Sequence, residues 1–175
     1  MIRLFWLLIK LFLKHRDSGI HSIRVAFRMV NYTLILREIS EMSVVKSFFY
    51  GLFHDIGKLG ISNEILSKKG KLTDSEFDII KTHTTNEYAL LANCFFPGII
   101  DHHETMDGKG YAGKLEFEIN EYAKLLSIVD VFDALSNKRD YKDAIEYSNV
   151  IDIMNIMASN GKFDNGYFQK LLKVV

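Results

Sequence analysis

The 175-residue sequence predicts an all-α fold from three observations. Apolar residues recur at three- and four-residue spacing over long stretches, as one face of a helix requires. Runs alternating apolar with polar, the mark of a half-buried strand, are scarce. One proline stands against 11 glycines, where average usage gives about 9 prolines. With 48% hydrophobic and 25% charged residues, the chain has apolar material for one core and is not disordered. The single cysteine, Cys94, excludes a disulfide scaffold and fits a reducing cytoplasm. Twenty-two basic residues balance 22 acidic ones, so there is no basic field for nucleic acid and none is expected as a partner.

Taken in order, residues 1–16 form an apolar, basic N-terminal helix, set apart from a domain over 17–175. Its apolar run Leu4 to Ile9 is broken by Lys10 and falls short of the roughly 20 residues that span a bilayer. No small-residue cleavage site follows it. Arg3, Lys10 and Lys14 fall near one helical face. Three readings stand for the stretch: packing on this chain or on a second copy in a homodimer, lying on a membrane surface through residues 1–14, or a remnant of a longer parent. A helix over about Ile20 to Glu38 places Ile23, Phe27, Val30 and Leu34 on one face. Another covers Met42 to His54, and a loop runs from Gly57 to Gly70. Thr73 stands three residues ahead of Glu76, as in a capping box, and opens a helix to about Asn93. Pro97 starts a short turn toward His102. Gly108, Gly110 and Gly113 mark a loop over Thr105 to Gly113. Tyr122 to Ser136 reads as a buried helix, followed by helices over Val150 to Ala158 and Tyr167 to Val175.

Chemistry concentrates in the histidines. His54 and Asp55 follow the apolar helix Phe48-Phe49-Tyr50-Gly51-Leu52-Phe53, and a polar pair ending such a helix must be hydrogen-bonded or metal-bound. His102 and His103 are adjacent and precede Glu104. Imidazoles with carboxylates are a donor set for Mn, Fe, Co, Ni or Zn rather than Mg. A lone His-Asp pair is common on surfaces; the order and spacing of the larger set is what distinguishes this chain.

That set resembles the HD-GYP family, the branch of the HD phosphohydrolases that degrades cyclic di-GMP. The resemblance rests on His54-Asp55-Ile56-Gly57-Lys58, on Ile65 to Thr73, on His102-His103-Glu104-Thr105-Met106-Asp107-Gly108-Lys109-Gly110-Tyr111, on Asp130-Val131-Phe132-Asp133-Ala134-Leu135-Ser136 with Arg139-Asp140-Tyr141, and on Gly161 to Asp164. It implies a helical bundle with a central metal site. Carried over residue by residue, His21, His54, Asp55 and Asp130 hold one ion. Asp55, His83, His102 and His103 hold a second, with Asp55 bridging. Asp17, four residues before His21, matches a carboxylate that holds a third ion in some members; helix N-cap is an equal reading for it. Two or three divalent transition-metal ions are thus implied, iron or manganese foremost. The sixth histidine, His15, is left as a solvated surface residue.

The resemblance implies hydrolysis of cyclic di-GMP to pGpG, or on to GMP, by a metal-bridging hydroxide. Asp55 and Lys58 take the catalytic roles. Lys58, Asp107, Tyr111, Arg139 and Lys142 are the substrate contacts, with Tyr111 either stacking on a guanine or plugging the loop. Two departures stand out. Ala112 replaces the proline of the GYP signature, and Ser62, Lys69, Thr84, Asn120 and Asp140 also occupy positions where proline is usual. Glu87 stands where glycine is common, on the helix expected to carry His83. Two other functions compete: an HD-type phosphohydrolase of another cyclic dinucleotide or nucleotide, and a non-cutting module that senses cyclic di-GMP or docks a diguanylate cyclase. The intact ligand set favours an enzyme, and the HHE-xx-DGxGY run favours cyclic di-GMP. With no sensor domain ahead of the match in this sequence, control is expected from the N-terminal helix, a partner or substrate supply.

Overall fold

Small residues let two long helices touch and set the frame of the molecule. In the computed structural model, which describes residues 1–137 and 146–173, α2 (Arg16–Ile35) packs against α3 (Val44–Phe53). The approach is close enough that a Cβ on Gly51 would lie 2.6 Å from the Ala26 Cα. Against this pair lie α7 (Glu121–Ser136), on the side of α2 that carries His21, and α1 (Ile2–Lys14). Short helices α4 (Asn63–Leu66), α5 (Asp74–Lys81) and α6 (Glu87–Phe95) follow α3, while α8 (Tyr147–Ser159) packs on α7 and α9 (Asn165–Leu172) on α2. No strand occurs among the described residues, as the scarcity of alternating runs requires. One apolar cluster joins Val25 and Met29, Leu52 and Phe53, Leu125 and Val129, and Phe168 and Leu171.

Leu4, Leu7 and Leu11 of α1 belong to that same cluster, and Lys14 Nζ donates to the carbonyls of Leu59 and Ile61 at 2.7 and 2.5 Å. The helix therefore packs on its own chain. Its opposite face remains apolar and open, with Ile2, Trp6, Ile9 and Leu13 between 49% and 81% exposed.

Several sequence expectations are corrected. Of the face Ile23, Phe27, Val30 and Leu34 on α2, Val30 is half-buried and the other three look outward, with Phe27 60% exposed. Apolar residues occupy both sides of this helix. The side that turns inward, His21, Ser22, Val25, Ala26 and Met29, is the one whose small residues admit α3 and whose histidine finds a carboxylate. The Gly57–Gly70 loop contains the 3-10 turn Ile56–Gly60 and helix α4. The expected single helix from Thr73 to Asn93 is two: α5 opens with the Thr73–Glu76 capping box and ends in a 3-10 turn at Thr82–Thr84. Asn86 then caps α6, accepting from the amides of Tyr88 and Ala89. An Asn side chain competing for backbone groups is what a periodicity count overlooks. Glu87 therefore sits at the exposed start of α6, off the turn that carries His83. His15 is buried, not solvated, and is itself the N-cap of α2, its Nδ1 accepting from the Ser18 amide. Asp17 lies inside the first turn and is not the cap.

Candidate metal centre

Four elements bring the histidines together, and the imidazoles of His54, His83 and His102 are each oriented by the outer nitrogen. His54, at the end of α3, donates from Nδ1 to the Gly51 carbonyl at 2.8 Å. His83, on the 3-10 turn after α5, donates to the Ile80 carbonyl at 2.7 Å. His102, after the turn Ile99–Asp101, donates to the Ile99 carbonyl at 2.7 Å. A carbonyl only accepts, so Nδ1 carries the proton and Nε2 keeps a lone pair. In each case the carbonyl lies three residues upstream, so the helical turn itself aims Nε2 inward.

The inward nitrogens converge. Nε2 of His83 and of His102 are 3.3 Å apart, two acceptors facing one another, a spacing that suits ligands about 2.1 Å from one shared ion. The rings of His103 and His102 are 4.2 Å apart, and those of His103 and His83 5.0 Å. Donor atoms of His83, His102 and His103 lie within 4.8 Å of one another, and so do those of His21, His54 and Asp55. Asp55 stands between the groups: Oδ2 is 3.4 Å from His54 Nε2 and 3.8 Å from His21 Nε2, while Oδ1 is 3.6 Å from His83 Nε2. Asp130, on α7, reaches His21 Nε2 at 2.7 Å and His54 Nε2 at 3.8 Å.

These residues fit divalent cations. His54 Nε2 is buried and has no hydrogen-bond partner, a costly state that a ligated ion removes. Burial holds His83 down to about 3. Burial, and then the neighbouring histidines, also hold His102 well below its ordinary value, and burial lowers His103. All three thus stay neutral and ligand-ready. Burial works against the charge on Asp55, but Lys58 and His54 outweigh it and keep the carboxyl well below the usual range. Asp130 is likewise kept ionised against burial by His21.

Three contributors escaped the sequence reading. Asp133 is fully buried and accepts from His21 Nδ1 at 2.7 Å, with Arg24 at 2.9 Å and Arg28 at 3.1 Å on the same carboxylate. It stands one turn after Asp130, and that i, i+3 spacing was the available signal. Gly57 is the second: a Cβ there would fall 1.8 Å from the His83 carbonyl, and nothing in the sequence announces that approach. Glu104 is the third; like Asp133 and Gly57 it belongs to a matched motif that gave it no role of its own. Its buried carboxylate accepts from the amides of Ala112 and Lys114.

Of the other expected residues, Lys58 contacts Asp55 Oδ2 at 2.5 Å. Tyr111 lies against His103, ring centres 4.7 Å apart, and burial raises its hydroxyl to about 12. The Asp107 carboxylate is taken up by Thr105, by the Lys109 amide and by Lys162. Asp17 belongs to neither donor group; it lines, with His15, Lys58 and Lys68, a cavity of about 280 Å³ beside the centre. Arg139 and Lys142 lie outside the described residues.

Residues 21–166 match the family described as HD domain. The chain belongs to the HD domain family. Among its relatives, a cyclic di-GMP phosphodiesterase of Pseudomonas aeruginosa is 32% identical over 96% of this chain and 42% of its own length. The 3'3'-cGAMP-specific phosphodiesterase 1 of Vibrio cholerae is 35% identical over 72% of this chain and 31% of its own. A cyclic di-GMP phosphodiesterase of Thermotoga maritima is 39% identical over 59% and 30%. The chain spans less than half the length of each of these relatives. Their names agree with the HD-GYP resemblance of the motifs. No helix among the described residues is long and apolar enough to cross a membrane.

Proposed function

We propose that this HD domain is a metal-dependent phosphodiesterase that opens cyclic di-GMP to pGpG. The observation that carries the reading is Asp55, whose two carboxylate oxygens face two separate groups of imidazole nitrogens. His21, His54, Asp55 and Asp130 would hold one ion, and Asp55, His83, His102 and His103 the other, iron or manganese foremost; Asp17 is the donor for a third. Divalent cations bound there supply Lewis-acid charge for a phosphodiester and an activated water. The protein's share is placement. Helical-turn carbonyls fix the imidazoles of His54, His83 and His102, Asp133 holds that of His21, Lys58 presents an ammonium beside Asp55 for a phosphate oxygen, and Tyr111 offers a ring face beside His103 for a base. Arg139 and Lys142 are further phosphate contacts in this reading.

The relative named for 3'3'-cGAMP favours a second substrate, a mixed cyclic dinucleotide. Anaerobic preparation, metal analysis and turnover of both dinucleotides on one sample separate the two. The expected result is two or more ions per chain with faster cleavage of cyclic di-GMP. Metal-loaded protein that cleaves neither overturns the reading.

For its surroundings we propose the cytoplasmic side of a lipid surface. Ile2, Trp6, Ile9 and Leu13 recur at i, i+4, i+7 and i+11 on the open side of α1, with exposed Arg3 and Lys10 along one edge, the pattern of an interfacial helix. A 13-residue helix is about 20 Å long, and one face of it falls short of the roughly 800 Å² per partner of a stable dimer.

A further inference from the structure

We propose that Glu104 is the positioning residue of the glycine loop over Thr105–Lys114, and that Ala112 serves as its hydrogen-bond donor. The inference rests on the phosphodiesterase reading above, because it concerns how Tyr111 is presented to a substrate at the metal centre.

Glu104 follows His103 directly and is 3% exposed. A buried carboxylate must be satisfied, and this one takes backbone N–H groups: Ala112 N at 2.7 Å on Oε1 and Lys114 N at 2.9 Å on Oε2. Each is a charge-assisted bond, stronger than a neutral one. Gly110 rests directly on the same residue, since a Cβ there would come within 2.4 Å of the Glu104 Cα. Tyr111 is thus held on both sides, by the Gly110 contact before it and the Ala112 bond after it. Its ring lies 33° from the plane of His103. At its other end the loop is tied by Asp107, whose amide donates to the Gly161 carbonyl at 2.8 Å. The carboxylate that follows the metal-ligand pair therefore sets where the aromatic face beside those ligands stands.

Ala112 gives this device its character. A proline, the usual residue of the signature, has no N–H and cannot donate. A proline would stiffen the loop through its ring; here a hydrogen bond to Glu104 does so.

The test uses the full chain, loaded with manganese, and reads amide hydrogen exchange, metal content and steady-state kinetics with cyclic di-GMP. In the wild type the amides of Ala112 and Lys114 are expected to be protected. Glu104→Gln puts an NH₂ against one of them. It should speed their exchange about tenfold and raise KM about tenfold, the factor equivalent to about 1.4 kcal/mol, with metal content unchanged and kcat within about twofold. Ala112→Pro removes one bond from the other side. In that background Glu104→Gln should cost clearly less than in the wild type, because coupled residues are not additive. Unprotected wild-type amides, unchanged exchange in Glu104→Gln, or full additivity of the pair each overturn the proposal. Protected amides that Glu104→Gln releases, in a protein that cleaves no cyclic di-GMP, uphold the clamp and overturn the substrate reading instead.

Discussion

His21 Nδ1 lies 2.7 Å from Asp133 Oδ2 across the interface of α2 and α7. The same carboxylate is gripped by Arg24 and Arg28, and it stays ionised, at about 2, because those hydrogen bonds outweigh its burial. A carboxylate behind a metal-binding imidazole fixes its tautomer and raises its basicity. Asp133→Asn is therefore expected to weaken metal binding about 10–100-fold, measured by competitive titration with a chelator. Unchanged affinity in a folded variant would show that His21 needs no such brace.

Asp55 faces both imidazole groups, so Asp55→Ala removes a donor from each. Metal analysis should find fewer ions per chain in this variant than in His54→Ala, His83→Ala or His102→Ala. Two ions retained with normal turnover would end the bridging assignment.

Lys58 is a protonated amine beside Asp55, and an ammonium has no lone pair for a cation. Lys58→Ala should keep metal content near wild type and slow turnover by about 10²–10³, by analogy with the loss of one oxyanion-hole donor. Loss of metal would make Lys58 a structural brace. Full rate with full metal would leave the phosphate to other groups.

Glu76 gives a pH dependence outside the metal centre. Lys68, at 2.6 and 2.7 Å, and the Thr73 amide lower its carboxyl to about 2. A lowered carboxyl contributes stability that is present above its ordinary value, near 4.5, and is lost as pH falls toward 2. The start of α5 should therefore loosen over that window, followed through the Glu76 resonance and the Thr73 amide by NMR. Glu76→Gln should remove the dependence. A Glu76 that titrates at its ordinary value contradicts the ion pair.

The two faces of α1 should respond differently to substitution. Leu11 is fully buried, so Leu11→Ala is expected to cost about 2–5 kcal/mol, read by denaturant unfolding. Leu13, 81% exposed, should tolerate Leu13→Ser within about 0.5 kcal/mol. Trp6→Glu with Leu13→Ser should keep stability while reducing sedimentation with vesicles of anionic lipid. Equal sedimentation of wild type and variant, or a wild-type dimer that the variant dissolves, would remove the lipid reading.

The sequence by itself determined the helical class and the Thr73–Glu76 cap, and its motifs pointed, through their resemblance to HD-GYP proteins, to the residues proposed for the metal centre. The first two are written in local order, as periodicity and a three-residue cap; the donors, from His21 to Asp130, lie far apart in the chain and are legible there only through the resemblance. The tertiary structure alone decided which face of α2 is buried, because apolar side chains line both faces and only the approach of Gly51 to Ala26 and of Asp133 to His21 selects one. It also decided the break at Thr82–Thr84, where the Asn86 cap and the fit of Gly57 under the His83 carbonyl outweigh a periodicity that continues. The clamp of Glu104 on Ala112 is of the same kind. Its partners are eight residues apart, beyond any helical turn, and the backbone N–H that completes it is a group every residue but proline carries, so only the folded loop shows that it is used.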